Sequence, residues 1–260
     1  GGQMSKAPKF SNAYLAYSNT PNTGAKNESI TSMDLGISYR SDLLDVTATY
    51  YMNTWEDKSI VIYDAPDIYN ITGLSANHSG LELEADVRPL DLLSVEAALS
   101  LGNWKWGKNV EGTFSSDYDR TNTTDVTLYT DGLMVGYQPQ TQMMLGLNVF
   151  PMSALRVNTS FRYNDNFYAG FSPSDYDDAS MAGKDVVKLP SYSLLDFHAS
   201  YKMELMGTGL TIGAHLLNAL DTEYITYGED QGFEDDGTNS LPKVFYGSGM
   251  QVRLSFKVNI

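Results

Sequence analysis

The segment Met250–Ile260, MQVRLSFKVNI, sorts its residues by parity. Met250, Val252, Leu254, Phe256, Val258 and Ile260 are apolar, while Gln251, Arg253, Ser255, Lys257 and Asn259 are polar. Side chains alternate faces along a strand, so this stretch predicts a strand with one apolar wall and one polar wall. The pattern recurs upstream. Leu155, Val157, Thr159, Phe161 and Tyr163 alternate with Arg156, Asn158, Ser160, Arg162 and Asn164. Leu81, Leu83, Ala85 and Val87 alternate with Glu82, Glu84, Asp86 and Arg88, and Met33, Leu35, Ile37 and Tyr39 with Asp34, Gly36, Ser38 and Arg40. Weaker alternation runs through 44–53, 92–102, 141–150, 193–203 and 209–218, giving nine strands.

The connections alternate as well. Short links at Ser41–Leu43, Pro89–Asp91, Pro151–Ala154 and Glu204–Gly209 are interleaved with long polar links near 55–77, 104–139, 168–191 and 219–244. Short periplasmic turns opposite long extracellular loops mark an outer-membrane barrel. Many strands run close to the ~9–11 residues that a tilted strand needs to cross the apolar layer. The polar parity carries Glu82, Glu84, Asp86, Glu96, Arg156, Arg162, Asp196 and Lys202, a wall too charged to pack dry without extensive pairing. Tyr39, Tyr201 and Phe256 share the apolar parity near short turns or the chain end, as an inner-leaflet aromatic girdle would. In a β-sandwich those apolar sides would instead meet across a sealed interior.

Composition excludes several classes. There are 32 acidic residues against 17 basic ones, a net charge of -15, the wrong balance for general nucleic-acid binding. The chain has no cysteine and 3 histidines, so thiolate chemistry is excluded and a metalloenzyme is poorly supplied. Mean hydropathy is -0.28 and no apolar run approaches the ~20 residues of a membrane helix, which leaves strands as the means of crossing a bilayer. No Gly-x-Ser-x-Gly elbow, phosphate loop, His-Glu-x-x-His or dinucleotide fingerprint is present, so no enzyme and no cofactor are expected. The opening Gly1-Gly2-Gln3-Met4 fits either a chain whose signal peptide has been removed or the C-terminal part of something longer.

Leu217-Asn218-Ala219-Leu220-Asp221-Thr222-Glu223-Tyr224-Ile225, followed by the alternating C-terminal strand, resembles the C-terminal signature of TonB-dependent outer-membrane receptors. There an Asn-Leu-Phe-Asp-x-x-Tyr type segment ends the penultimate strand and the last strand opens with Gly-Arg; Ala219-Leu220 and Gly249-Met250 depart slightly from that pattern. Leu189–Asp196 looks like the family's Pro-x-Tyr-x-Leu-x-Asp strand entry, and His78–Glu84 like its Gly-x-Glu-x-Glu strand. Ser5-Lys6-Ala7-Pro8 and Leu99–Trp104 resemble receptors of the Bacteroidetes type.

The expected fold is therefore all-β: an antiparallel transmembrane β-barrel, here a partial barrel of nine to ten strands. The resemblance implies a whole barrel of about 22 strands around an N-terminal plug, of which residues 1–260 would be the C-terminal part, without plug or N-terminal strands. It implies an outer-membrane active-transport receptor of a Gram-negative bacterium. Such a receptor binds a siderophore, corrinoid, glycan or peptide at extracellular loops for TonB-energised uptake. The expected partners are outer-membrane lipid, the TonB complex through the missing N-terminal part, the nutrient substrate and a surface lipoprotein. Alternatives are a passive porin and a secreted β-sandwich carbohydrate-binding module. An open half-wall has unpaired edges and, alone, is expected to aggregate.

Candidate substrate-binding residues are the aromatics at or beyond the outer strand ends: Trp55, Tyr63, Tyr69, Trp104, Trp106, Tyr118, Tyr168 and Tyr176. They suit stacking on sugars or flat chelates, and equally an outer interface girdle or loop packing. A hairpin turning at Met206 places His198 opposite His215, with Asp196 one polar position further out. That trio is either a metal-ligating set or a wet wall in hydrogen-bond contact with a plug. The acidic runs at Glu229–Gly237, at Asp117, Asp119, Asp125 and Asp131, and at Asp175, Asp177 and Asp178 read as solvated loops or as divalent-cation ligands.

Overall fold

The computed structural model describes residues 1–64, 67–116, 119–205, 207–230 and 241–259. In chain order the strands are β1 (Gly2–Lys6), β2 (Glu28–Arg40), β3 (Leu44–Asp64), β4 (Asp67–Leu90), β5 (Leu93–Trp106), β6 (Val110–Ser116), β7 (Asp119–Leu128) and β8 (Thr141–Met152). There follow β9 (Leu155–Asp165), β10 (Phe167–Tyr168), β11 (Lys188–Leu189), β12 (Tyr192–Leu205), β13 (Thr208–Leu217), β14 (Ile225–Glu229), β15 (Lys243–Tyr246) and β16 (Gln251–Asn259). Ten of them form one antiparallel wall in the order β1-β2-β3-β4-β5-β8-β9-β12-β13-β16. These are the nine expected strands plus β1, a short tenth on the outer side of β2.

The apolar parity of this wall faces outward. Ile37 is 75 % exposed, Val252 72 % and Phe256 68 %, and Leu35, Leu254 and Val258 stand beside them. No sealed interior takes them up, which rules out the β-sandwich. In water such a surface would cost about 25 cal/mol per Å²; against hydrocarbon it costs nothing. Register puts two of the three expected girdle residues in one row, Phe256 opposite Ile212 and Ile212 opposite Tyr201, while Tyr39 lies opposite Val46 in another.

The opposite face is a polar network. Asn148, almost fully buried, donates from Nδ2 to Glu96 at 2.9 Å. Its Oδ1 accepts from Arg156 at 2.7 Å and from Asn158 at 3.1 Å. Charged and amide groups on a wall need partners or water, and here neighbouring strands supply them.

The long links differ from the polar loops that the sequence predicts. Residues 55–77 continue β3 and β4 as a hairpin far beyond the wall, and 104–139 contains the β6–β7 hairpin, which pairs with the outer part of β4. The ladder bulges between Trp55 and Lys58 and again between Lys58 and Ile60, with Asp57 at φ +55° and Gly73 at φ +79°. Bulges of this kind bend a strand and re-aim its side chains. Past them the code inverts: Ile68, Leu74 and Leu128 are fully buried, and Tyr69, Ile71, Leu74, Val110 and Leu128 form a conventional core with Ile60, Ile62, Trp106 and Phe114 packed on it.

Residues 129–137 and 168–186 dock onto this cap. Trp106 donates its backbone N–H to Leu133 O at 2.9 Å, Tyr129 to Tyr176 O at 2.8 Å, and Tyr137 to Tyr168 O at 3.0 Å. A second cluster of Leu133, Phe171, Tyr176 and Val186 closes the unit, so the outer side is a folded cap with its own interior.

Candidate functional site

Where the wall meets the cap, the polar faces of β2 to β5 carry an aromatic shelf. Ser32, Asn53, His78 and Trp104 follow one another in a single register row, and Tyr51 lies one polar position inward, opposite Asp34 and Gly80. Glycine makes room for the rings. A Cβ on Gly80 would stand 2.5 Å from the Tyr51 hydroxyl, and one on Gly102 would stand 2.7 Å from Trp104 Nε1. With both positions bare, the rings lie close across the strands, and Trp104 Nε1 donates to Tyr51 Oη at 2.8 Å. The His78 ring sits 5.6 Å from the Trp104 ring, within the range of aromatic contact. Gln140, buried, braces Trp104 from behind: Oε1 accepts its backbone N–H at 2.8 Å and Nε2 donates to its carbonyl at 3.1 Å. Trp55 stands above with Lys58 Nζ 4.1 Å from its ring centre, a cation–π contact. The shelf bounds an open hollow of about 500 Å³ lined also by Thr49 and by the carboxylates Asp34 and Glu82.

The eight candidate aromatics therefore separate. Trp55 and Trp104 enter the shelf. Trp106 packs into the cap, edge-on to Phe171 at 5.6 Å. Tyr69 belongs to the cap core beside Phe114, and Tyr176 is fully buried in the second cluster, where burial and then Asp230, Asp185 and Asp175 push its phenol above the ordinary range. Tyr168 is half-buried opposite Lys188, and Tyr63 is exposed near the hairpin tip. Tyr118 lies outside the described residues. Sequence parity already puts Trp55 and Trp104 on the wall's polar face. Tyr51, Asn53 and His78, which share that parity, were legible only through Gly80, which faces Tyr51 from the neighbouring strand, and Gly102, two residues before Trp104 on β5.

The register sets His198 directly opposite His215, with Nδ1 to Nδ1 at 2.9 Å. Asp196 does not join them. Its Oδ2 accepts from Arg162 Nη2 at 2.7 Å and its Oδ1 from the backbone N–H of Asn218 at 2.7 Å. Asn218, at φ +47°, in turn accepts from Thr222 N–H and donates to Thr222 O and Ser248 O, while Asp221 Oδ1 accepts from Met250 N–H at 2.8 Å. The two sequence motifs thus form one lock that joins β12 and the end of β13 to the start of the last strand.

Described acidic loop residues likewise serve as staples. Asp178 accepts from Ser180 N–H at 2.7 Å, a bond that holds its carboxyl below the usual range. Asp185 accepts from Met134 and Val186 N–H groups at 2.9 Å each. Among the described residues no group of three or more His, Asp or Glu side chains gathers to hold a metal ion. Residues 231–237 of the acidic run, and Asp117, lie outside the described residues.

A family model described as TonB dependent receptor-like, beta-barrel, matches residues 3–219. The chain belongs to that family. Solved structures of the same fold include a copper transporter, OprC (17 % identity, TM-score 0.65, covering 99 % of this chain and 35 % of that one). Others are the siderophore receptor PiuA from Acinetobacter baumannii (16 %, 0.64, 98 % and 32 %) and the ferric-catecholate import receptor Fiu from E. coli (15 %, 0.60, 98 % and 31 %). The chain spans about a third of the length of these receptors. A comparison with curated proteins gave no match.

Proposed function

We propose that this receptor-barrel chain supplies the C-terminal wall and extracellular cap of an outer-membrane active-transport receptor in a Gram-negative bacterium. Substrate binds on the outer side, and a TonB complex, engaged through a separate N-terminal part, energises uptake. The observation that supports this reading is the shelf: a braced aromatic surface on the polar wall, set directly below a folded cap. Its chemistry narrows the substrate. Trp104, Tyr51 and His78 offer flat faces, whereas Asp34 and Glu82 place negative charge at the same hollow. A polyanionic chelate would be repelled there, and a neutral sugar ring or a neutral or cationic metal chelate would be accepted.

The test uses the full-length receptor in detergent, titrated with a cationic trihydroxamate iron chelate and with a neutral oligosaccharide while tryptophan emission is followed. One of the two is expected to quench emission, and Trp104→Ala should weaken it about 2- to 10-fold, the range of a single aromatic contact. Equal affinity in wild type and Trp104→Ala for every ligand that binds would remove the shelf from recognition.

A further inference from the structure

The His198–His215 pair takes no part in the lock or in the shelf. The two residues face each other on β12 and β13, in a polar register row that runs Arg253, His215, His198, Asn158, Asn148. Their Nδ1 atoms stand 2.9 Å apart, and both rings are part-exposed on the polar face. At that spacing a single proton fits between the two lone pairs, so the contact joins one Nδ1–H tautomer to one bare Nδ1. The rings now stand nearly head to head, centroids 5.1 Å apart, as a hydrogen bond sets them; a rotation of each about Cβ–Cγ would aim both lone pairs at one cation without changing the spacing. Two imidazole nitrogens, each about 2.0–2.1 Å from one cation and at a right angle to each other, lie about 2.9 Å apart.

The surroundings complete the case. Ser255 Oγ is 3.3 Å from His215 Nε2, placed to accept the ring proton that moves to Nε2 when Nδ1 takes a metal. Such a partner on the far nitrogen is what orients a ligating histidine. The adjacent positive charge, Arg253, is turned toward Gln251 Oε1, 3.1 Å from its Nε. Gly213 keeps the backbone open beside the pair: a Cβ there would stand 3.0 Å from His215 Nε2.

We propose that His198 and His215 form a two-nitrogen site for a borderline divalent transition cation on the polar wall, distinct from the aromatic shelf. Cu²⁺ is favoured, because paired imidazoles at a right angle suit its tetragonal geometry and it heads the affinity order for such ligands. Water or a group from another part of the receptor fills the remaining positions. The binding step moves one proton from Nδ1 to Nε2 of the same ring and releases none from a neutral pair.

The experiment titrates the full-length receptor in detergent with CuSO₄ and records the electron paramagnetic resonance spectrum. The expected result is one Cu²⁺ whose nitrogen hyperfine pattern shows two imidazoles. That species should vanish in His198→Asn/His215→Asn and become a one-imidazole species, more than about 100-fold weaker, in His215→Asn alone. Ser255→Ala should weaken binding about 10-fold and leave the two-nitrogen pattern in place. Heat-modifiable migration on gels confirms that each variant barrel is folded, and the single variants keep the test decisive if the double variant fails that check. A nitrogen pattern and affinity identical in wild type and His215→Asn, or no bound Cu²⁺ in the wild type, would overturn the site.

Discussion

The wall and the cap read the same alternating alphabet in opposite directions. On the wall, Val252 and Phe256 are about 70 % exposed and Asn148 is almost fully buried; in the cap, Ile68, Leu74 and Leu128 are fully buried. Two strands join the regions, since β3 and β4 each run, through the bulges, from one into the other. What changes is the solvent on each side. Hydrocarbon accepts the apolar face of the wall and water accepts its polar face, whereas the cap has water all round and must fold its apolar residues inward. Alternation therefore specifies two faces, and the surroundings specify which of them is the inside.

Each region should yield to substitution separately from the other. Leu74→Ala should cost about 2–5 kcal/mol, the usual loss for a fully buried leucine. The loss should stay within the cap, so proteolysis should cut residues 55–77 and 107–130 sooner while the barrel still migrates as folded. Leu254→Arg puts charge on the apolar face and should cost about 2–4 kcal/mol of insertion into lipid vesicles, leaving the cap's protease resistance unchanged. If Leu254→Arg inserted as readily as wild type, the wall's apolar face would not be the one that meets lipid.

A smaller effect tests the lock between them. In Asp196→Ala the Asn218 N–H loses its acceptor in a buried place, a loss of about 1–3 kcal/mol. Arg162, about half exposed, regains water and adds little. Asp196→Asn keeps an oxygen for the N–H and should recover most of the stability in urea unfolding from detergent. Equal losses in the two variants would mean that the ion pair, not the corner, is what Asp196 serves.

The wall was legible in the sequence because its parity is unbroken over each strand. The nine strands, their short turns, the outward apolar face and the His198–His215 register all follow from counting by two. The cap was not legible, because bulges reset the count. On β4 both parities are buried, Ile68, Tyr69, Asn70 and Ile71 before Gly73 and Leu74, Ser75 and Ala76 after it, so no single parity describes the strand and its outer part reads as a loop. Asp196 misleads for another reason. Its spacing to His198 is that of a shared face, yet its partner Asn218 lies in a separate motif 22 residues away, a contact that only the corner geometry creates. The shelf was half legible: its tryptophans stand out, but Tyr51 becomes part of it only because Gly80 and Gly102 leave space.

The finest probe of the cap's interior is Tyr176. Its ring is fully buried, edge-on to Phe171, and burial, reinforced by Asp230, Asp185 and Asp175, raises its phenol above the ordinary value of about 10. A raised value means that the folded cap holds the phenolic proton more tightly than the unfolded chain does. The stabilisation from the neutral phenol is therefore complete below pH ~10 and is lost as pH rises beyond it. Above pH ~10 the amide of Tyr129, which donates to Tyr176 O at 2.8 Å, should exchange faster than base catalysis alone explains. Wall amides such as that of Ile212 should show no such excess. Tyr176→Phe carries no ionisable proton and should remove the excess in the cap. If the wild type and Tyr176→Phe accelerated alike, the alkaline opening would belong to another group and the cap would owe its interior less to this ring than its burial implies.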